Sequence, residues 1–241
     1  MQSLDVKPFR IEDQFRNCEA ILLDFGGTLD SDGEHWLDRF LELYEQAGLD
    51  YPHEEIKRVF YLADDICCKD PDVDGFGLRD LMKYHVHLQL DALGLQDQHS
   101  EDRLVDGFCS KTERTLRRNA LLLARLKERY RLGVVSNFYG NVATLCEEAG
   151  LSDHLEVILD STCVGLSKPD PEIFRLALKQ IKAGPAEVIF VGDSFERDII
   201  PARNVGMKTI WLKGPNPRLP KNHGPIGCLI SSLPELESVL P

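Results

Sequence analysis

No apolar run in the 241-residue sequence approaches the ~20 residues that a helix needs to cross a bilayer. Residues 1–15 are too acidic and too weakly apolar to resemble a secretory signal. The sequence therefore lacks the usual features of a membrane-embedded or exported protein. We expect a cytoplasmic protein that has no membrane partner.

The cysteines lack the pattern of a disulfide framework or a zinc cluster. They are odd in number, widely scattered and without a CxxC pair, which fits a reducing compartment. The adjacent Cys67 and Cys68 are predicted to be buried small apolar side chains rather than a redox pair. The seven cysteines are Cys18, Cys67, Cys68, Cys109, Cys146, Cys163 and Cys228.

Positive charge is also scarce, because 28 lysines and arginines stand against 40 aspartates and glutamates. The net charge of -12 argues against a nucleic-acid partner, since a nucleic-acid surface requires a basic patch that replaces counterions. A small charged substrate could still bind locally. The oligomeric state is left open, because no feature of the sequence determines it.

Hydrophobic residues make up 43% of the sequence, which is enough for a sizeable buried core. Short apolar runs bounded by turn residues alternate with helical periodicity in the second half of the chain, as in a parallel sheet covered by helices. We predict an α/β fold with a Rossmann-like parallel sheet flanked by helices. The predicted strands are residues 20–24, 132–136, 155–160, 188–191, 209–212 and 228–230.

The stretch between the first two predicted strands shows only helical periodicity. We predict an α/β core formed by residues 1–31 and 117–241, interrupted by an all-helical cap domain at residues 32–116. Separate helices are expected at residues 100–116 and 119–130. Trp36, Phe60 and Tyr61 are candidates to face a substrate, although packing inside the cap explains them equally well. Such an insertion would lie over the carboxyl edge of the sheet as a lid.

Polar residues stand at the ends of the predicted strands. Asp24 follows the first strand, Ser136 ends the second, Lys168 lies in the turn after the third, and Asp193 and Asp198 follow the fourth. The carboxyl ends of parallel strands meet at one edge of the sheet, so these distant residues can share one site. Carboxylates, a hydroxyl and a cation together are typical of metal-assisted phosphoryl transfer.

These positions resemble the motifs of the haloacid dehalogenase superfamily, a group of aspartate-nucleophile hydrolases. Asp24 lies in LLDFGGTL, Ser136 in VVSNF, Lys168 in GLSKPDPEIF, and Asp193 and Asp198 in VGDSFERD. The four motifs occur in the family's order. The separation of 112 residues between Asp24 and Ser136 suits a helical cap inserted after the first motif. The short stretch from Ser136 to Lys168 leaves no room for a large second cap.

The resemblance implies a Mg²⁺ site and a phosphorylated small-molecule substrate. It assigns metal binding to Asp24, Asp193 and the backbone carbonyl of Gly26. Asp198 would bind the metal directly or through an intermediate group. Asp24 would also attack phosphorus and form an aspartyl-phosphate that water then hydrolyses.

The same resemblance assigns catalytic roles to Lys168 and Ser136 beside Asp24. Lys168 would neutralise Asp24 and the phosphate, and Ser136 would donate a hydrogen bond to a phosphoryl oxygen. Asn137 and Thr28 are expected to complete the phosphate-binding set.

One position departs from the family pattern. In the family's typical phosphatases the residue two after the nucleophile is a second aspartate, which protonates the leaving group, whereas here it is Gly26. A general acid or base contributes about 10²- to 10⁴-fold, so this chain should be a slow phosphatase or act on a better leaving group. Asp30, Asp32 and His35 could substitute, but we interpret them as solvated loop and helix-cap residues.

Three functional hypotheses follow. The preferred one is a Mg²⁺-dependent phosphatase for small phosphomonoesters. The second is a hydrolase of carbon–phosphorus or carbon–halogen bonds, because such relatives also lack the second aspartate, and Schiff-base chemistry would need a lysine such as Lys57, Lys69 or Lys83. The third is a regulatory module that binds phosphate but has lost turnover.

Overall fold

The computed structural model describes residues 14–214 and 227–241, and six parallel strands form its sheet. In sheet order they run β3, β2, β1, β4, β5 and β6, which is the order of a Rossmann-like fold. The predicted fold class is confirmed, and every predicted strand is present with small changes at its ends. The strands are β1 Ala20–Leu23, β2 Arg131–Ser136, β3 Val157–Asp160, β4 Val188–Gly192, β5 Lys208–Leu212 and β6 Cys228–Ile230.

The strand register brings the site-bearing ends of the central strands level. Leu23, the last residue of β1, pairs with Val134 on β2 and with Val191 on β4. The chain leaves β1 toward β2 on one side and reaches β4 on the other. Ligands of open parallel sheets bind in the crevice at such a reversal, beyond the carboxyl ends of the strands.

Four long helices fill the stretch between β1 and β2, and this fully described stretch contains no strand. The predicted break after residue 116 is wrong, because one continuous helix covers it. Arg117 and Arg118 lie at this point and favour the helical conformation. The predicted division into core and cap therefore falls inside a helix, and it stays a prediction. The helices are α1 Trp36–Gln46, α2 His53–Cys67, α3 Leu78–Ala92 and α4 Gln98–Leu126.

The remaining helices cover both faces of the sheet. Ile21 and Leu23 of β1 belong to a hydrophobic cluster that extends into the helices before β2. Ala20 and Leu22 point to the other face and pack in a second cluster with Phe174. Helices therefore bury both sides of the sheet. They are α5 Val142–Glu148, α6 Ser161–Val164, α7 Pro171–Ile181, α8 Ile200–Asn204 and α9 Leu236–Val239.

A buried ion pair joins the loop after β1 to the helices. Arg39 on α1 places Nη1 3.1 Å from Asp30 Oδ2, and both side chains are buried. Nη2 of Arg39 donates to Phe108 O (3.2 Å) and to the Thr112 hydroxyl on α4. Trp36 Nε1 also donates to Asp30. The interpretation of Asp30 as a solvated loop residue is therefore wrong, because Asp30 connects α1 and α4 to the β1 loop.

All seven cysteines are free thiols, as their spacing predicted. Cys67 is buried as expected, but Cys68 is exposed, so the prediction is wrong for Cys68. The two residues lie at the end of α2, where consecutive side chains point in different directions. The described residues include no helix that is both long and apolar enough to span a membrane.

Two stretches of the chain lie outside the described residues. Residues 1–13 contain most of the segment compared with a secretory signal, and residues 215–226 separate β5 from β6.

Candidate active site

Asp24 lies where three strands of the sheet end together. It follows β1 directly, and its backbone N–H donates to Val191 O on β4 (2.9 Å). Its Oδ1 accepts hydrogen bonds from Ser136 Oγ at the end of β2 and from the backbone N–H of Phe25, both at 2.7 Å. Lys168 Nζ lies 2.9 Å from the same oxygen. These contacts hold the carboxylate at the edge of the sheet in a single orientation.

Lys168 is a buried ammonium held between two carboxylates. Its Nζ lies 2.6 Å from Asp198 Oδ1 as well as beside Asp24. Burial lowers the pKa of Lys168, but Asp198 and then Asp24 raise it by more, so the net pKa lies above its usual value. The Asn137 side chain fixes the lysine loop, because its Nδ2 donates to Lys168 O and its Oδ1 accepts from Lys168 N, both at 2.8 Å. Phosphate binding by Asn137 stays a prediction.

Three carboxylates form an acidic cluster at this edge. One oxygen from each of Asp24, Asp193 and Asp198 lies within 4.8 Å of the others. Burial raises the pKa of Asp193 well above its ordinary value, and the charges of Asp198 and Asp24 raise it further. With all three ionised, Lys168 leaves two negative charges uncompensated. The cluster therefore fits a divalent cation, and its all-oxygen donor set is of the kind that Mg²⁺ prefers.

The two aspartates after β4 differ in what they contact. Both oxygens of Asp198 are engaged, since Oδ1 accepts from Lys168 and Oδ2 accepts from the backbone N–H of Ser194 (2.9 Å). Asp193 Oδ1 accepts a longer bond from the buried hydroxyl of Thr28 (3.3 Å). The Asp193 carboxylate is therefore less engaged than that of Asp198, which holds Lys168, and metal binding by either residue stays a prediction. The phosphate-binding role predicted for Thr28 stays a prediction.

Two glycines let the loops approach the acidic cluster closely. Gly27 has a φ of 82°, and a Cβ there would lie 2.6 Å from Asp193 Oδ2. A Cβ at Gly192 would lie 2.5 Å from Asp198 Oδ2. Neither position accepts a side chain without moving a carboxylate. The glycines after β1 and within β4 thus serve the geometry of the site.

Gly26 faces an aromatic wall. Its φ of -70° and ψ of 127° suit any L-residue. A Cβ at Gly26 would lie 3.4 Å from Phe138 Cε2 and 3.8 Å from Trp36 Nε1, so aromatic side chains occupy the adjacent space. Phe138 also packs edge-to-face against Phe25, with ring centroids 5.4 Å apart. A metal-binding role for the Gly26 carbonyl stays a prediction.

A cavity of about 320 Å³ opens beside Asp24 and Lys168. Trp36 and Phe60 line it and also pack in the hydrophobic core, so both interpretations of these two residues apply. Tyr61 is not among the lining residues and is 43% exposed. The core and the helical segment both contribute walls. The lining residues are Asp24, Gly26, His35, Trp36, Phe60, Asp64, Cys68, Asn137, Phe138, Tyr139, Ser161, Ser167, Lys168 and Arg197.

The three candidate replacements for the missing acid differ in their contacts and in whether they line the cavity. Asp30 is buried in its ion pair, and Asp32 accepts from Leu233 N (2.9 Å) while pairing with Arg118 (2.6 Å). His35 caps α1, since its Nδ1 accepts from Leu37 N (3.2 Å), and this confirms its interpretation as a helix cap. His35 is nevertheless the one member of this trio that lines the cavity.

A second polar network, unpredicted from the sequence, reaches the cavity from the helices. Asp64 Oδ1 accepts from the Tyr139 hydroxyl and lies 3.1 Å from His85 Nε2. Gln89 Nε2 lies 2.8 Å from His85 Nδ1, and the Tyr44 hydroxyl donates to Gln89 Oε1 (3.3 Å). The spacing of four between His85 and Gln89 is the sequence feature that could have indicated this network.

A known protein family matches most of this chain. The family model described as haloacid dehalogenase-like hydrolase matches residues 18–206, a range that contains Asp24, Ser136, Lys168, Asp193 and Asp198. The chain belongs to the haloacid dehalogenase-like hydrolase family. The motifs that suggested this resemblance are the ones that meet at the edge of the sheet.

Two curated relatives are similar in sequence to part of this family member. The chain is 36% identical to haloacid dehalogenase-like hydrolase domain-containing protein 3 of Bos taurus over 122 residues, covering 48% of this chain and 45% of the relative. It is 41% identical to the glyceraldehyde 3-phosphate phosphatase of Pyrococcus furiosus over 95 residues, covering 38% of this chain and 39% of the relative. The matches thus span less than half the length of these relatives.

A solved structure resembles this family member over nearly its whole length. A crystal structure of a dehalogenase with an intermediate complex has a TM-score of 0.64 and 18% sequence identity. The alignment covers 93% of this chain and 97% of that chain. At this identity, the comparison shows a shared fold.

Proposed function

We propose that the protein is a Mg²⁺-dependent hydrolase of small phosphomonoesters that acts through an aspartyl-phosphate at Asp24. The observation that carries the proposal is the arrangement of Asp24, which lies within a three-carboxylate cluster and contacts both Lys168 and Ser136. The relative named glyceraldehyde 3-phosphate phosphatase supports the choice of a phosphate ester.

In the proposed reaction, a carboxylate oxygen of Asp24 attacks phosphorus. The new oxygen–phosphorus bond forms as the bond to the leaving oxygen breaks, and water then hydrolyses the aspartyl-phosphate. Lys168 fixes Asp24 and supplies positive charge beside the transferring phosphoryl group. The Ser136 hydroxyl donates to Asp24 Oδ1 in the structure and would donate to a phosphoryl oxygen when substrate is bound.

The acidic cluster would hold the metal. Asp24, Asp193 and the Gly26 carbonyl are the proposed ligands, whereas Asp198 is committed to Lys168 and the Ser194 backbone. When bound, Mg²⁺ supplies charge that offsets the phosphoryl group and the clustered carboxylates.

Gly26 sets an expectation for the rate. Because no carboxylate stands at this position, leaving groups that need no protonation should react fastest. His35 lines the cavity, but its Nδ1 accepts from Leu37 N and its Nε2 lies 3.5 Å from Arg197 Nη2, so it is not proposed as a replacement proton donor. Slow turnover of unactivated alkyl phosphates follows from this account.

Schiff-base cleavage of phosphonates is disfavoured by the placement of the lysines. Lys57 and Lys69 pair with the exposed carboxylates Glu54 and Asp65, and Lys83 is exposed. Among the described residues that line the cavity, Lys168 is the single lysine, and two carboxylates hold it.

The test is a screen of phosphomonoesters and phosphonates with and without Mg²⁺. Wild type should release phosphate from phosphomonoesters, lose activity in EDTA and regain it with Mg²⁺. Asp24→Asn should lose this activity. Asp65→Asn is a matched control, because Asp65 is an exposed residue in an α2 surface ion pair. Unchanged phosphate release by Asp24→Asn would overturn the proposal.

A further inference from the structure

The cavity has two chemically different ends. Asp24 and Lys168 define the end at the sheet, where the proposed function places the phosphate. Phe60, Asp64 and Cys68 come from α2 or the residue after it and line the part of the cavity that the helices contribute. The leaving group of a bound ester must therefore extend toward α2.

Asp64 is the carboxylate that the helices contribute to this cavity. Among the described lining residues, Asp24 and Asp64 are the two carboxylates. Arg197 also lines the cavity, but its charge acts on Asp193, so it belongs to the phosphate end. The leaving group thus meets a single carboxylate on the α2 side.

Asp64 is held in place by partners from two directions. His85 on α3 lies 3.1 Å from Asp64 Oδ1, and the Tyr139 hydroxyl from the loop after β2 bonds the same oxygen. Gln89 Nε2 donates to His85 Nδ1 (2.8 Å), so the proton of neutral His85 is placed on Nε2 and points at Asp64. His85 is fully buried. Within the described part of the chain, no hydrogen bond to Asp64 Oδ2 accompanies these bonds to Oδ1.

We infer that Asp64 determines substrate specificity by accepting a hydrogen bond from an amino or hydroxyl group on the leaving group of the phosphate ester. This inference rests on the proposed function, because it takes the phosphate to lie at Asp24. The substrates are therefore phosphomonoesters whose leaving group carries an N–H or O–H donor. Esters whose leaving group places a carboxylate at this end are rejected by charge repulsion.

The contacts of Asp64 favour this role over that of a proton donor. Two groups donate to Oδ1, which is the pattern of a carboxylate that acts as an acceptor. His85 and Tyr139 act as positioning residues, since they orient the carboxylate without needing to touch the substrate. The aromatic surfaces of Phe60 and Tyr139 flank it and give the carbon skeleton of the leaving group an apolar wall.

The experiment measures binding in an Asp24→Asn background, where turnover is blocked. Aminoalkyl phosphates of increasing chain length are compared by calorimetry with alkyl phosphates of matched length, in the presence of Mg²⁺. At the length that reaches Asp64, the amino ester should bind about 10- to 100-fold more tightly, the range expected for a hydrogen bond to a charged group. Adding Asp64→Asn should abolish this preference and leave the alkyl phosphates unchanged.

Two further variants keep the result interpretable. Asp65→Asn, one residue along α2 and exposed, should preserve the preference. Tyr139→Phe keeps the ring and removes the donor, so it should weaken the preference for the amino ester while binding alkyl phosphates normally. Thermal unfolding of each variant checks that the fold is intact.

The outcomes separate the inference from the proposed function. Alkyl and aminoalkyl phosphates that bind equally well at every length would overturn the role of Asp64 and leave the phosphate site intact. A preference that survives Asp64→Asn would overturn it equally. Absence of binding by every ester in the Asp24→Asn background, together with no inhibition by these esters of aryl phosphate hydrolysis by the wild type, would overturn the proposed phosphate site and the inference together.

Discussion

The sheet edge and the helical segment each contain a buried polar network, but the two networks differ in how far carboxylate charge is matched by cations and hydrogen-bond donors. At the sheet edge, three carboxylates lie around one ammonium. Burial, and then the charges of Asp198 and Asp24, raise the pKa of Asp193. In the helices, neutral donors surround one carboxylate, because His85 and Tyr139 both bond Asp64. The first network keeps an excess of carboxylates over cations, whereas the hydrogen bonds of the second are largely satisfied by the chain itself.

This difference separates the two contributions to the cavity. Clustered carboxylates repel one another, so the sheet edge lowers the stability of the fold, and the proposed function explains this by a cation and a phosphoryl group that would bind there. The helical network lowers the stability of the fold less, because its buried polar groups have hydrogen-bond partners. Under the proposed function, the sheet edge would carry the chemistry and the helices would provide the selectivity.

The largest expected effect comes from removing one carboxylate of the sheet edge. Asp193→Asn should lower turnover by about 10³-fold, because it weakens the cation site that offsets transition-state charge. The same change should raise the melting temperature of the metal-free protein, since it relieves repulsion with Asp198 and Asp24. Phosphate release and calorimetric unfolding measure the two effects. A variant that loses activity and stability together would contradict the contrast between the regions.

The next effect concerns the ion pair that connects the regions. Arg39→Met leaves Asp30 buried without its cation and should destabilise the fold by about 3–5 kcal/mol. Arg79→Met, which breaks an exposed pair with Asp106, is the control and should change stability little. Urea unfolding followed by circular dichroism gives both values. Equal losses in the two variants would show that the buried pair does not fasten α1 to the β1 loop.

Restoring the missing acid should produce a gain of about 10²-fold in turnover of alkyl phosphates. Gly26→Asp fits the backbone, and its Cβ would contact Phe138 at 3.4 Å. The gain should be smaller for aryl phosphates, whose leaving groups need less protonation. Steady-state kinetics on both ester classes checks this, with Gly26→Ala as the control for bulk alone. No gain on alkyl phosphates would mean that another group already serves as the acid.

The smallest expected effect is a pH dependence of stability. Asp193 has a raised pKa in the folded chain, so the unfolded state binds fewer protons above its ordinary value of 3.8. The metal-free fold should therefore lose stability as the pH rises from about that value through the raised pKa of Asp193. Mg²⁺ or Asp193→Asn should flatten this slope. Melting curves over this pH range, with and without Mg²⁺, test it, and a slope unaffected by either would contradict the assignment.

Much of the sheet edge could be predicted from the sequence. Buried strands read as apolar runs, and parallel strands end at a common edge, so Asp24, Ser136 and Lys168 could be placed together before their distances were known. The continuity of α4 could not be predicted, because Asn119 is a residue type that commonly begins a helix, whereas here it lies inside α4 and its side chain donates to Leu29 O.

The helical network could not be predicted in the same way. His85 and Gln89 share a helix face, but their partners Asp64 and Tyr139 come from a different helix and from the loop after β2. Such contacts depend on how helices pack, for which the sequence has no motif. For the same reason, the sequence does not indicate that Asp30 is buried, since its burial depends on the ion pair with Arg39 on α1.

The central claim is that Asp24 becomes covalently phosphorylated during turnover. The most direct measurement is rapid acid quenching of the wild-type protein with an aryl phosphate and Mg²⁺, followed by mass spectrometry of its peptides. The account predicts the mass of one phosphoryl group on the peptide that contains Asp24, and its absence in Asp24→Asn. Hydrolysis that proceeds with no phosphorylated peptide at any quench time, or with the label on another residue, would contradict it.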